Sequence, residues 1–258
     1  VLVAKPAMLN LGFLGLMPER LKSVMNGQIT FEEGDPGNFQ MDIPGTIGFS
    51  SLSAGRSHLV SSSLKDKGRV TFGSGCDLPR LIASAEVWSR VLDAVPGSTI
   101  LLGDIENASD NIRDRVHEIF GKFGLAERCF IVDSGLRELS RAHMLANTDI
   151  FLDYARHGDS YLILEALQSG IPVVSYVGES GGARRTNAIL SSMELDDWLA
   201  MNEDEFVEIA VNLSKTGPVL SEARQRLKEI VNNSRLADPQ TCIKCMEKAI
   251  LDAWRSLS

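Results

Sequence analysis

Several features are scarce or missing in this 258-residue sequence, and each absence narrows what it encodes. The longest apolar stretch, Met8 to Met17, falls well short of the roughly 20 residues a membrane-spanning helix needs. No basic segment precedes it, so it does not read as a signal peptide. Four cysteines cannot make a disulfide scaffold; they point to a reducing compartment, and the expected location is cytoplasmic. Basic charge is in deficit, with 26 Lys and Arg against 34 Asp and Glu for a net charge of −8. A nucleic-acid or anionic-membrane partner calls for the opposite excess. No Gly-Lys-Ser/Thr ending marks a Walker loop, and no Asp-x-Asp pair offers a Mg or Mn site, so no metal and no cofactor is expected. Position 1 is Val rather than Met, which reads as a processed or truncated piece of something longer. What is present, 44% hydrophobic and 23% charged residues, is the make-up of a globular chain and excludes a disordered or collagen-like one.

The pattern changes near Gly68. Residues 1–68 hold four of the nine prolines and nine of the 22 glycines, with six basic and six acidic residues. The whole net charge therefore belongs to residues 69–258. The first part reads as irregular strands and loops, a remnant or linker of an acceptor-side domain. From Arg69 onward short apolar strands alternate with amphipathic helices: strands at 70–72, 98–102, 130–132, 150–152 and 172–176, and helices at 84–94, 109–123, 136–145 and 161–168. Gly170 closes the last of these helices. Three further helices, about 203–213, 220–232 and 239–256, make a helical tail. Alternation of this kind predicts an α/β fold, a Rossmann-like parallel sheet covered on both faces.

In such a sheet ligands sit where strands end and helices begin. After 150–152 comes Asp153-Tyr154-Ala155-Arg156-His157-Gly158-Asp159-Ser160-Tyr161, then the helix carrying Glu165. Small residues at a helix start leave backbone N–H groups and a positive dipole end for a phosphate, and Glu165 is placed to accept ribose hydroxyls. Asp159 or Ser160 can equally be no more than an N-cap, the commoner use of such residues. After 172–176 the run Gly178-Glu179-Ser180-Gly181-Gly182-Ala183-Arg184-Arg185 reads either as a diphosphate clamp on a flexible loop or as a surface turn. Phe72-Gly73-Ser74-Gly75-Cys76 matches a dinucleotide fingerprint only loosely, and Arg80 just beyond it is a second phosphate candidate. Cys242 and Cys245, His117 and His143 read as structural, and Glu203-Asp204-Glu205 as a simple complement to a helix dipole.

The run of motifs from Val70 to Trp254 resembles the catalytic region of the O-GlcNAc transferase family, SPINDLY-type proteins included, and is similar to the bacterial adhesin N-glycosyltransferases. The resemblance rests on Trp88 with Val95-Pro96-Gly97-Ser98, Asp149-Ile-Phe-Leu-Asp153, and Glu165-Ala-Leu with Gly170-Ile-Pro-Val-Val174. Gly178-Glu179 with Arg184, Leu190, Asp197-Trp-Leu-Ala200 and Glu205-Phe-Val-Glu-Ile-Ala210 complete it. It implies the C-terminal, nucleotide-sugar-binding half of a GT-B glycosyltransferase that takes a UDP-sugar and a protein or peptide acceptor. By this likeness the helix from Ser160 faces the diphosphate, Glu165 stands at an acidic ribose contact, and Arg184 matches an arginine as much structural as ligand-binding. Gly158, Asp159, Tyr161 and Gly178 are taken with them as donor-binding, and Arg80, one place past the family's lysine position, as the catalytic cation.

Two positions depart from the family. Its lysine ahead of the Trp88 helix falls on Pro79, and its His-Thr-Thr falls on Ser160-Tyr161-Leu162. Residues 1–68 are too few for a second Rossmann domain, so a partner domain or subunit is expected to supply the acceptor half. No base for the acceptor is assigned; His58 and His157 are the conceivable ones. The leading expectation is an inverting, metal-independent transfer of sugar to a protein side chain. The alternatives are a GT-B transferase or epimerase acting on a small molecule, and a non-catalytic binding or assembly subunit that keeps the fold.

Overall fold

The computed structural model describes residues 11–13, 27–30, 38–40, 69–75, 77–103, 109–132, 137–154, 160–178, 181–215, 217–234 and 239–255. Three short strands, β1 (Leu11–Phe13), β2 (Gly27–Thr30) and β3 (Asn38–Gln40), form a parallel sheet in that order. A second sheet contains β4 (Thr71–Gly75), β5 (Thr99–Gly103), β6 (Cys129–Ile131), β7 (Ile150–Asp153), β8 (Val173–Tyr176) and β9 (Leu199–Ala200). Its order is β6-β5-β4-β7-β8-β9, with every neighbouring pair parallel. The chain starts at the centre, winds outward through β5 to β6, returns to β7 and winds outward the other way. That is the doubly wound order, and its reversal between β4 and β7 opens a crevice at their carboxyl ends.

Among the described residues eight helices accompany the strands: α1 (Leu78–Ala94), α2 (Asp110–Gly121), α3 (Arg137–Ala146), α4 (Ser160–Gln168), α5 (Gly181–Ser191), α6 (Glu203–Ser214), α7 (Gly217–Asn233) and α8 (Pro239–Arg255). Central strands are buried on both faces, as β7 is along its length, which is why they read as unbroken apolar runs rather than alternating ones. Phe72, Trp88, Phe151 and Phe206 are fully enclosed among them. Both margins of the sheet are brief, three residues at β6 and two at β9.

Several motif residues have structural duties. Val95-Pro96-Gly97-Ser98 is the turn that ends α1: Gly97 takes a φ of +77°, a left-handed conformation that suits glycine. Arg128 reinforces this turn, donating from Nε to the Ser98 carbonyl at 2.7 Å and from Nη2 to the Leu92 and Val95 carbonyls at 2.6 and 2.9 Å. Its guanidinium adds a second donor to the Leu92 and Val95 carbonyls, which also accept from the Val95 and Ser98 N–H groups. Gly170, at a φ of +73°, closes α4 as its position predicts.

The regular α/β sheet stands as expected from residue 69 onward, with boundaries moved. α1 begins at Leu78 rather than Ser84, because Asp77 caps it by accepting from the Arg80 N–H at 3.0 Å and Pro79 occupies its first turn. A proline there needs no N–H partner. β9 had no counterpart among the expected strands; two residues carry too little period to read. The loose dinucleotide fingerprint is corrected outright. Gly73 and Gly75 lie inside β4, not in a turn, and a Cβ on Gly73 would fall 2.2 Å from Thr148 Oγ1. On β5, a Cβ on Gly103 would fall 2.7 Å from Met144 Sδ. The two glycines let the end of α3 and the residues after it approach the sheet. Gly73→Ala should therefore cost about 1–3 kcal/mol by overpacking, read as a shift in the urea midpoint. Thr148→Ala in that background should recover much of it, and losses that simply add would contradict the contact. At the other end of the chain, α8 packs on β2 and β3.

Candidate functional site

The crevice outside β4 and β7 is bounded by the starts of α1 and α4. On the β4 side α1 begins at the sheet's carboxyl edge with Arg80 in its first turn; Pro79 has no N–H there, and the Arg80 and Leu81 N–H groups already bond to Asp77. The Arg80 side chain is 30% exposed, and its Nε lies 3.6 Å from Asp77 Oδ1. A helix start with a partly exposed guanidinium can meet an anion with both fixed dipoles and a full charge. Asp77 takes a share of that charge in the unliganded chain. Pro79, the position on which the lysine of the resembling family falls, carries no charge and lies inside the helix rather than ahead of it.

On the β7 side, Ser160 and Tyr161 are the first two residues of α4, and Glu165 stands further along the same helix, partly buried. Gly178 lies just past β8, and Arg184 is in the first turn of α5. α5 begins at Gly181, so Arg184 and Arg185 ride on a helix instead of hanging from a loop ahead of one. Gly158, Asp159, Glu179, His157 and His58 lie outside the described residues. The doubly wound topology thus brings Arg80 to one side of the crevice and Ser160, Tyr161 and Glu165 to the other, with Gly178 and Arg184 at the next strand along.

Beneath this edge the strand exits are tied together. Asp153, the last residue of β7, is buried and accepts from Ser175 Oγ on β8 at 3.0 Å. One residue further out, the rings of Tyr154 and Tyr176 meet edge-on with centroids 5.1 Å apart, and Tyr154 meets Phe206 in the same way at 5.3 Å. The Tyr154 hydroxyl donates to Glu203 Oε1 at 2.6 Å. Glu203 also takes Arg90 Nη1 at 3.3 Å, and Arg90 reaches Asp204 through Nη2. The acidic start of α6, read from sequence as a dipole complement, is thus also a set of tertiary partners. No pattern along the chain announces this, because its members sit far apart in sequence.

Other candidates fall away from the crevice. Asp149 immediately precedes β7 at the opposite end of the sheet, fully buried, where it accepts from the Thr71 N–H at 2.9 Å and pairs with Arg224 Nη2 at 3.1 Å. Burial lowers the pKa of the Arg224 guanidinium from its ordinary value, and Asp149 opposes that shift by charge and by hydrogen bond. Burial pushes the Cys129 thiol up to about 12, which leaves it without the thiolate that reactivity needs. His117, on the exposed face of α2, faces Glu127 at 3.6 Å. His143 is exposed on α3. Among the described residues no three His, Cys, Asp or Glu side chains gather as a metal-binding group.

No protein-family model matches the chain. Its sequence is 31% identical over 192 residues to a tomato (Solanum lycopersicum) protein named "Probable UDP-N-acetylglucosamine--peptide N-acetylglucosaminyltransferase SPINDLY", across 73% of this chain and 20% of that protein. In three dimensions it superposes on a mutant O-GlcNAc transferase of Thermobaculum terrenum with a TM-score of 0.77 at 19% identity, over 98% of this chain and 49% of that one. Anabaena HepE, solved with UDP and glucose, superposes with a TM-score of 0.56 at 15% identity, over 88% of this chain and 63% of that one. The chain spans about one fifth of the length of the curated relatives it matches.

Proposed function

We infer, for a chain related to the SPINDLY-type O-GlcNAc transferases and built like the C-terminal half of a GT-B glycosyltransferase, that it binds a UDP-sugar and serves sugar transfer to a protein side chain. The observation that carries this reading is the crevice itself: two helix starts, α1 with Arg80 and α4 with Ser160 and Tyr161, flank the reversal point of a doubly wound sheet. The backbone N–H groups at the start of α4 suit a diphosphate, Arg80 adds a full positive charge from α1, and Glu165 on α4 suits the ribose hydroxyls.

In the transfer, the acceptor side chain attacks the anomeric carbon as the bond to the diphosphate oxygen breaks, with inversion. The acceptor's proton goes to a base that another domain or subunit would provide along with the acceptor site. Charge grows on the departing uridine diphosphate, and Arg80 with the helix N–H groups offsets it. No divalent ion is required for that role. Uridine diphosphate should therefore bind equally well in calorimetry with and without a chelator. A strict requirement for a divalent ion would overturn the metal-independent reading.

One observation favours a second reading, a non-catalytic binding subunit. Asp77 already partners Arg80 at 3.6 Å, and the position matching the family's lysine is Pro79. A chain that binds uridine diphosphate but never hydrolyses or transfers a UDP-sugar, even with the acceptor half supplied, would decide for that alternative.

A further inference from the structure

The donor-site residues sit on the exits of two neighbouring strands, β7 leading to α4 and β8 leading to Gly178 and α5. Whatever holds those exits in register sets the spacing between the two halves of the site. Asp153 and Ser175 are cross-strand partners in the ladder and share a side-chain hydrogen bond at 3.0 Å. The next position outward is Tyr154 beside Tyr176, past the last register pair of β7 with β8, while Tyr176 is still paired with Ala200 of β9. There the Tyr154 ring is wedged between Tyr176 and Phe206, and its hydroxyl reaches Glu203 at 2.6 Å. Glu203 is held in turn by Arg90 of α1. The helix that carries Arg80, the exit of β7, the exit of β8 and the start of α6 thus meet through two side chains, Tyr154 and Glu203.

We propose that Tyr154 is a positioning residue of the donor site, which holds the exits of β7 and β8 in fixed relation through its ring and its bond to Glu203, so that the nucleotide meets a preformed cradle. The role rests on the donor-site reading above. It touches no reacting atom. A hydrogen bond to a carboxylate is stronger than one between neutral groups, and a site left to find its own geometry binds less tightly because ordering it is charged against the ligand.

The test is uridine diphosphate calorimetry on the whole chain beside Tyr154→Phe, Glu203→Ala, Glu203→Gln and the Tyr154→Phe/Glu203→Ala double variant, with thermal unfolding run on each. Tyr154→Phe keeps the ring and removes only the hydroxyl. It should weaken nucleotide binding roughly five- to tenfold while the unfolding midpoint moves little. Glu203→Ala should match it, and the double variant should be no worse than either single one. Glu203→Gln, whose neutral amide oxygen can still accept from the Tyr154 hydroxyl, should fall between the parent and Glu203→Ala. A merely structural tie would lower the unfolding midpoint and leave the affinity alone. Parent-like binding by Tyr154→Phe, or losses that add in the double variant, would overturn the positioning role and leave the donor site standing. A parent chain that binds no uridine diphosphate would instead overturn the donor site, and the positioning role with it.

Discussion

Asp149→Ala should destabilise the fold by about 3–5 kcal/mol, the cost of leaving a buried partner charge without its counter-ion. Asp149 is fully buried, and its two carboxylate oxygens serve different elements: one accepts from the Thr71 N–H on β4, the other pairs with Arg224 on α7. The same guanidinium also donates to the Thr148 and Asp149 carbonyls at 3.1 Å each. Removing the carboxylate orphans a guanidinium whose burial is already unfavourable to its charge. Urea denaturation of the parent and the variant reads the loss directly. Arg224→Met in the Asp149→Ala background should recover part of it, because the unpaired charge is then gone. A double variant as weak as the sum of its parts would mean that the two side chains act independently.

Arg80→Ala should lower turnover on the order of a hundredfold with a smaller loss of nucleotide affinity. In the role proposed for it, its charge would matter most as the diphosphate departs, and an interaction made mainly in the transition state shows in kcat. Glu165→Ala should behave the other way round. Ribose hydrogen bonds exist in bound donor and transition state alike, so affinity should fall first, by about 1–3 kcal/mol. Uridine diphosphate binding and UDP-sugar hydrolysis, measured for both variants beside the parent, separate the two patterns. Equal losses in both measurements for both variants would argue against distinct roles. Normal behaviour of both would move the site elsewhere.

Local pattern made the α/β sheet legible because each central strand is a short apolar run between helices of clear period. It failed where the signal is not local. The start of α1 was missed by six residues, since Leu78-Pro79-Arg80 reads as a turn until Asp77 is seen capping it. β9 is too short to show any alternation. Gly73, part of a run that matches a dinucleotide fingerprint only loosely, is a point of close approach to Thr148, a neighbour 75 positions away. Of the site residues, the helix-start positions Arg80, Ser160 and Tyr161 fall where strand-to-helix order implied, at one edge of the sheet. The supports behind them, Tyr154 with Glu203 and Asp149 with Arg224, are long-range pairs that no window along the chain contains.

The brevity of the outer strands bears on how the molecule behaves among its own copies. A sheet margin offers unpaired N–H and C=O groups on which a foreign strand can seat itself, and long flat margins are the ones that recruit. Here a newcomer would find two residues at β9 and three at β6, against the five or six of a typical strand. The ladder it could form ends almost as soon as it begins. At β6 the middle residue is Phe130, 48% exposed, so an apolar contact remains available there without the run of backbone bonds that would make it a template. Growth of the sheet from molecule to molecule is thereby discouraged at both ends by length alone, with no need for a charged or proline-bearing guard on either strand.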